Sequence, residues 1–93
     1  MFSVDVIDVQ PMAERKLKLR FSDQQVGIVD VDSIVGEYSG VFSPLLDPGF
    51  FQQVRVNDDL GTIMWPNGAD LCPDVLYAHA TGRTRELLAF SEP

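Results

Sequence analysis

The feature that most constrains the fold of this chain is a strict alternation of side chains over residues 16–21. Leu17, Leu19 and Phe21 occupy every second position, and basic residues fill the positions between them. Successive side chains of an extended strand point to opposite faces, so this pattern predicts a strand with one buried and one solvated face. The basic residues of the solvated face are Lys16, Lys18 and Arg20.

Four further strands are predicted around this one. Residues 2–9 are rich in β-branched side chains and lack helical spacing, and Pro11 and the residues after it are expected to end that first strand. Residues 26–31 follow a polar turn at 22–25, form a hairpin with 16–21 and are apolar enough to be largely covered. A second hairpin is predicted from the strands 54–57 and 62–65, because the Asp and Gly residues of 58–61 favour a turn.

The remaining segments predict short helices. A helical turn is expected at 32–36 with Asp32 or Ser33 as its cap, another begins at Ser43 followed by Pro44, and a third covers 47–51. The main helix is predicted over 73–81, with Gly82 at its C-terminal end, and residues 84–90 favour one more helical turn. The predicted fold is a single α+β domain over 1–93: a small antiparallel sheet of two hairpins plus an N-terminal strand, with the main helix packed on one face.

Composition and charge narrow the classes of function. Fourteen acidic residues against seven basic ones give a net charge of −7, which disfavours general nucleic-acid binding and suits a basic partner. One cysteine cannot form an internal disulfide. Asp5 and Asp8 stand where a signal peptide needs an unbroken apolar run, and no segment reaches the length of a membrane span. We therefore expect a cytoplasmic protein without membrane contact.

The segment from Trp65 to Asp70 reads Trp-Pro-Asn-Gly-Ala-Asp and has two interpretations. In the structural one, Trp65 fills the core, and Asn67, Gly68 and Asp70 shape the crossing from strand to helix, with Asp70 accepting backbone N–H groups or capping the helix. In the functional one, the same constrained loop forms a pocket for a ligand or partner.

This segment and its continuation to Tyr77 resemble the bacterial family called domain of unknown function 2442. The resemblance extends upstream to the Leu-x-Leu-x-Phe-x-Asp pattern of 17–23, to 44–47, to Phe51 and to the Val-x-Val hairpin strand, and covers about residues 4–80. Many members carry Gly after that first Asp, whereas this chain has Gln24. The resemblance implies a small α+β domain without established enzymatic activity. It is similar to the N-terminal domain of longer relatives that bear a helix-turn-helix, and members are often paired with a second small protein in an arrangement similar to toxin–antitoxin systems.

No residue set predicts catalysis, a metal site or a cofactor. Cys72 and His79 lie about two helical turns apart, roughly 10 Å along the axis, too far for a Cys–His pair. Cys72 is expected to be a small buried residue. The carboxylate pairs Asp30/Asp32 and Asp58/Asp59 lack the pattern of a calcium loop and are typical of turns.

Two surfaces remain as candidates for contacts. The basic stripe of residues 16, 18 and 20 could follow a phosphate backbone, or could simply be a solvated face that deters aggregation. The tail 83–93 carries Leu87, Leu88 and Phe90, which could dock on the chain's own sheet or contact a partner or a second copy.

Two functions follow from these observations. The first is a non-enzymatic interaction module that binds a basic, toxin-like protein in the manner of an antitoxin, or that forms a homo-oligomer. The second is a small-molecule sensor that uses the groove between the 65–70 loop and the helix face of Tyr77.

Overall fold

Three antiparallel strands form the larger sheet of the computed structural model, which describes residues 4–82. They follow one another along the chain as β1 (Val6–Met12), β2 (Lys16–Phe21) and β3 (Val26–Asp30), with β2 in the centre. The alternation predicted for β2 is confirmed. Leu17, Leu19 and Phe21 are fully buried, whereas Lys18 and Arg20 are exposed. One face of this sheet therefore faces the core.

The predicted bounds of the first strand are wrong, because β1 begins at Val6 and continues through Pro11 to Met12. Pro11 lacks a backbone N–H, and a strand tolerates it only where that group is not needed by a neighbour. β1 lies at the edge of the sheet, where Pro11 can stand without removing a hydrogen bond that a neighbouring strand needs. The register also shifts between Val6 and Asp8, and this irregularity leaves Ile7 exposed on the strand.

The β2–β3 hairpin is confirmed, with a turn of three residues. The Phe21 N–H donates to the Gln25 carbonyl at 2.9 Å, and the Gln24 N–H donates to the Phe21 carbonyl at the same distance. Gln24 has a φ of 76°, in the left-handed region. It therefore adopts the backbone that Gly favours at this position.

The prediction that β3 is largely covered is wrong. Val29 is buried, but the side chains of Val26 and Ile28 are each 51% exposed. The reason is the position of the covering elements: the core and α3 (Pro73–Thr81) lie on one face of the sheet only. Val26 and Ile28 pair with Arg20 and Lys18 and share their solvent-facing side.

The second hairpin is confirmed as β4 (Arg55–Asn57) and β5 (Thr62–Met64), but it forms a separate two-stranded sheet rather than part of one common sheet. β5 ends before Trp65. The two sheets are joined at the turn of this hairpin, where the Val6 N–H donates to the Gly61 carbonyl at 2.9 Å. The hairpin therefore lies against β1 at one edge of the larger sheet.

Two of the short helices are not capped by the residues that the sequence predicts. Asp30, not Asp32 or Ser33, caps α1 (Val31–Val35), and its carboxylate accepts the Asp32 N–H. Residues Gly40–Leu46 form a 3₁₀ helix that includes Pro44, so Ser43 is not an N-cap. Both helices begin before the residue that the sequence predicts as the cap. The reason is that the chain enters α1 directly from β3 and enters the 3₁₀ helix from the preceding loop. The predicted turn at 47–51 is confirmed as α2 (Pro48–Phe51), capped by Asp47.

The main helix α3 has its predicted bounds, and Gly82 ends it with a φ of 77°. α3 packs against β3 with its backbone close to Gly27. A Cβ atom at Gly27 would lie 2.2 Å from the Ala80 carbonyl oxygen, so only glycine permits this approach. The α+β class is confirmed. The predicted helical turn at 84–90 lies outside the described residues.

Candidate functional site

Trp65 stands just after β5 and is buried in the core, with 1% of its surface exposed. Its indole N–H donates to the Phe51 carbonyl at 2.9 Å, and the two ring centroids lie 5.7 Å apart. A buried indole needs a partner for its N–H group, and the end of α2 provides one. The indole donor is therefore used inside the fold, where it ties the loop to α2.

Asn67 and Gly68 form the tip of the loop. The Asn67 side-chain oxygen accepts the Ala69 N–H at 3.1 Å, and its amide nitrogen donates to the Val41 carbonyl at 2.9 Å. The Gly68 N–H donates to the Trp65 carbonyl, and Gly68 has a φ of 89°, which a residue with a Cβ rarely adopts. Both residues stabilise the turn of the loop, and Asn67 also connects the loop to the 3₁₀ helix Gly40–Leu46.

Asp70 does not have the role that the sequence predicts. Its backbone bridges Met64, but its exposed carboxylate forms no hydrogen bond with any described residue and does not cap α3. Asn67 accepts the backbone N–H instead, because it lies two residues before its donor in a tight turn. The strand-to-helix crossing is held further by the Thr62 hydroxyl, which donates to the Leu71 carbonyl at 2.6 Å.

Tyr77 lies on α3 against the β2–β3 turn. Its hydroxyl donates to the Asp23 carboxylate at 2.5 Å, and its ring meets Phe21 edge-on with centroids 5.0 Å apart. It fixes α3 to the larger sheet and does not line the groove beside Trp65. The other predicted contact residues, Leu87, Leu88 and Phe90, lie outside the described residues.

An open groove of about 790 Å³ runs beside β4 and the start of the loop at 65–70. It is lined by residues 52–57 and 64–66, which supply amide, aliphatic and thioether groups. Arg55 is the only charged one among the described residues of this lining. Within the described part of the chain it forms no ion pair.

Three segments that carry acidic residues meet at one end of the molecule, which we call the acidic end: its residues are Asp5, Asp23, Asp58 and Asp59. The Asp5 backbone exchanges hydrogen bonds with Ser22, next to Asp23. The Asp5 side chain also approaches the second hairpin, since a Cβ atom at Gly61 would lie 2.4 Å from its carboxylate oxygen. Two turns and the segment just before β1 thus bring their acidic residues to the same end, a clustering that depends on tertiary structure and that sequence spacing does not indicate.

The basic stripe lies on the solvent-facing side of the larger sheet. Lys16 pairs weakly with Glu14 at 3.4 Å, whereas Lys18 and Arg20 form no ion pair with another described residue. A shallow depression of about 200 Å³ lies over Lys18 and Arg20. The stripe is flanked on β3 by exposed apolar side chains, so this face combines charge with apolar area.

A cluster of Arg15, Asp32 and Tyr38 at the other end of β2 is absent from the sequence-based predictions. Arg15 binds Asp32 through two nitrogens at 2.7 and 3.1 Å and lies over the Tyr38 ring at 5.6 Å, while the Tyr38 hydroxyl donates to Asp32. The Arg15 guanidinium and the Tyr38 hydroxyl hold the pKa of Asp32 below its usual value. Burial, and then the hydrogen bond to Asp32, raise the pKa of Tyr38 to about 12.

Arg15 and its neighbour Glu14 have φ values of 55° and 62°, which are costly for residues with a side chain. The bidentate pair with Asp32 stabilises this backbone. Sequence reasoning missed the cluster because its three members come from three different elements. The only local signal, a three-residue connection between β1 and β2, does not identify Asp32 as the partner.

The other residues considered for catalysis or metal binding do not form a common site within the described part of the chain. Cys72 is exposed, so the prediction of a buried thiol is wrong: it stands in the connection before α3, outside the packed face of that helix. His79 is half-buried on α3. Asp30 and Asp59 take part in local turn and cap hydrogen bonds. Among residues 4–82, no three His, Cys, Asp or Glu side chains are grouped so that they could hold a metal ion.

These features define a small α+β domain with two antiparallel sheets, a structural loop at 65–70 and contrasting charged surfaces. The model of the family described as "Protein of unknown function (DUF2442)" matches residues 6–82, and the chain belongs to this family. No curated protein and no solved structure matches the chain. Within the described residues, no helix is long and apolar enough to cross a membrane.

Proposed function

We propose that this protein is a non-catalytic interaction module of the cytoplasm that binds a basic protein through its acidic end, in the manner of an antitoxin. The observation that carries the proposal is that Asp5, just before β1, lies against both the turn that contains Asp23 and the turn that contains Asp58 and Asp59. Carboxylates gathered in this way produce a local negative field that accelerates encounter with a cationic partner.

The overall charge supports this assignment. The chain has a net charge of −7, and four of its seven basic residues lie between positions 15 and 20, at or beside β2. The negative potential is therefore strongest away from that strand's outer face. A basic protein, such as a ribonuclease-like toxin that must bind RNA phosphates, fits the acidic end.

Charge neutralisation at the acidic end tests the proposal. The double variant Asp58→Asn/Asp59→Asn removes two charges from a turn in which Asn is also favoured. The matched control, Asp47→Asn/Asp70→Asn, removes the same charge from exposed positions elsewhere. Each variant is co-expressed with the product of the neighbouring gene, and association is measured by co-purification and by kinetics over a salt series.

The first variant is expected to slow association by about tenfold at low salt, and the control by much less, because steering depends on local charge. The wild-type pair is also expected to lose association rate as salt rises. If the two wild-type proteins do not co-purify at low salt and the toxicity of the neighbouring product is unchanged, the proposal fails.

The groove beside β4 supports a second candidate function, that of a small-molecule or peptide sensor. Its volume of about 790 Å³ falls in the range of ligand sites, and Arg55 suits a carboxylate group. Thermal-shift screening of wild type and Arg55→Gln against carboxylate metabolites tests it. A ligand that stabilises wild type but not the variant favours the sensor, and no stabilisation by any compound removes it.

A further inference from the structure

The two edges of the larger sheet differ in how they are protected. β1 carries Pro11, an irregular register near Val6 and the neighbouring β4–β5 hairpin, all of which discourage pairing with another strand. β3 has a regular register, contains neither proline nor lysine, and exposes Val26 and Ile28. Soluble proteins usually block such an edge, and within residues 4–82 no strand pairs with this one, which indicates a pairing surface.

The direction of the backbone groups on β3 follows from the hairpin. The Phe21 N–H bonds the Gln25 carbonyl, and hydrogen-bonded pairs alternate with non-bonded pairs along an antiparallel ladder. Val26, Ile28 and Asp30 are therefore in the non-bonded positions, and their N–H and C=O groups point away from β2. For Val26 and Ile28, no hydrogen bond to another described residue uses these groups.

We propose that the free edge of β3 pairs with β3 of a second copy of this chain, so that the two three-stranded sheets form one continuous six-stranded sheet. The two strands run antiparallel about a two-fold axis between the two Ile28 residues, which brings each Val26 opposite the other copy's Asp30. The outward backbone groups of Val26 and Ile28 then find partners, and no like charges lie directly opposite each other.

Charge distribution along the sheet favours a second copy over an unrelated strand. Arg20 pairs with Val26 on the solvent-facing side of the sheet and forms no ion pair with another described residue. An antiparallel arrangement places Asp30 of the other copy opposite Val26, one strand away from Arg20 and on the same face of the sheet. This complementarity offsets the repulsion expected between two chains of charge −7. Ile28 meets its own equivalent at the centre, where apolar contact excludes water.

The oligomeric state of the full chain tests the proposal. Sedimentation over a concentration series is expected to show a monomer–dimer equilibrium for wild type. Ile28→Lys places a charge at the two-fold axis and is expected to raise the dimer dissociation constant by about tenfold or more. Ile28→Pro removes an outward N–H without removing a bond to β2, and is expected to have the same effect.

Ile7→Lys is the matched control, because it makes the same substitution at an exposed position on the protected edge. It is expected to leave dimerisation unchanged. Hydrogen exchange supplies a second readout, since the amides of Val26 and Ile28 are expected to gain protection as protein concentration rises. Circular dichroism confirms that each variant is folded.

Several outcomes would overturn the proposal. One is a wild type that sediments as a monomer at every concentration, and another is disruption of the dimer by Ile7→Lys as strongly as by Ile28→Lys. Protection of the Val26 and Ile28 amides that does not depend on concentration, in a monomer, would identify a segment of the same chain as the occupant. Binding of the edge only by the neighbouring gene product would identify a different protein.

Discussion

The loop at 65–70 and the free edge of β3 use their polar groups in opposite ways. In the loop, the indole of Trp65 and both ends of the Asn67 amide are bonded inside the fold. On β3, outward backbone groups and two half-exposed apolar side chains have no partner among the described residues. The loop is the most recognisable part of the sequence, yet its residues are occupied by structure. Distinctive residues therefore identify the fold here, and unsatisfied groups indicate the surface that is open to a partner.

The largest expected effect tests whether the loop is structural. Trp65→Ala removes a fully buried indole and is expected to lower the free energy of unfolding by about 3–5 kcal/mol. Trp65→Phe keeps most of the ring but leaves the Phe51 carbonyl without its donor, and about 1–3 kcal/mol is expected. Urea denaturation measures both. A loss below about 1 kcal/mol for Trp65→Ala would contradict the anchoring role.

Asn67 is expected to contribute less, because it is exposed. Asn67→Ala removes two hydrogen bonds, one to Val41 and one from Ala69, and is expected to cost about 1–2 kcal/mol. Asn67→Asp keeps the acceptor and loses the donor, so its cost measures the Val41 bond alone. Equal stability of all three proteins would show that the tip of the loop is not held by this side chain.

A gain in stability is expected at the turn that leads into β3. Gln24 has a φ of 76°, and a residue with a Cβ atom is disfavoured there by roughly 1–2 kcal/mol. Gln24→Gly relieves this strain at some entropic cost in the unfolded chain, so a net gain of about 1 kcal/mol is expected. Gln25→Gly, at the next position, is the control and is expected to destabilise. A loss of stability for Gln24→Gly would mean that its side chain has an additional role.

The sequence predicted those elements whose signals are local. The alternation of 16–21 and the Pro73-to-Gly82 helix each carry their whole pattern in one segment, and both have their predicted bounds. The exposure of Val26 and Ile28 could not be predicted from β3, because Gly27 removes the alternation that would reveal its covered face. Gly27 is required by the backbone of α3, more than fifty residues later in the chain.

The candidate surfaces were harder to predict for the same reason. The acidic end depends on two turns and the segment before β1, which meet only in the fold, and the Arg15–Asp32 pair joins a loop to α1. Asp70 was predicted to bond backbone groups because Asp favours such turns, but Asn67 occupies the position from which the bond forms. Residue preference alone does not decide between two acceptors three positions apart.

The Arg15–Asp32–Tyr38 cluster predicts a pH dependence at high pH. The pKa of Tyr38 is about 12 in the folded protein, against 10 for an ordinary tyrosine, so the folded state binds this proton more tightly. The contribution of the protonated Tyr38 to the free energy of unfolding is complete below pH 10, and it is lost as the pH rises from 10 towards 12. Tyr38→Phe is expected to flatten this part of the stability profile, measured by urea midpoints. An unchanged slope in Tyr38→Phe would assign the pH dependence to other groups.

The smallest expected effect is that of a substitution at Val26, and it is measured by comparing the two faces of β3. Val26 is half-exposed and Val29 is buried, so the same substitution can be made on both sides of one strand. Val29→Thr buries a hydroxyl in the core and is expected to cost about 1–3 kcal/mol, whereas Val26→Thr is expected to stay within about 0.5 kcal/mol in dilute, monomeric protein.

Repeating the measurement at high protein concentration sharpens the comparison. If β3 pairs with a second copy, the dimer adds to the stability of wild type by mass action, and Val26→Thr loses part of that gain. A cost of Val26→Thr that grows with concentration, beside a constant cost of Val29→Thr, separates packing inside the monomer from contact between copies. Equal costs at every concentration would mean that the outer face of β3 is only solvated.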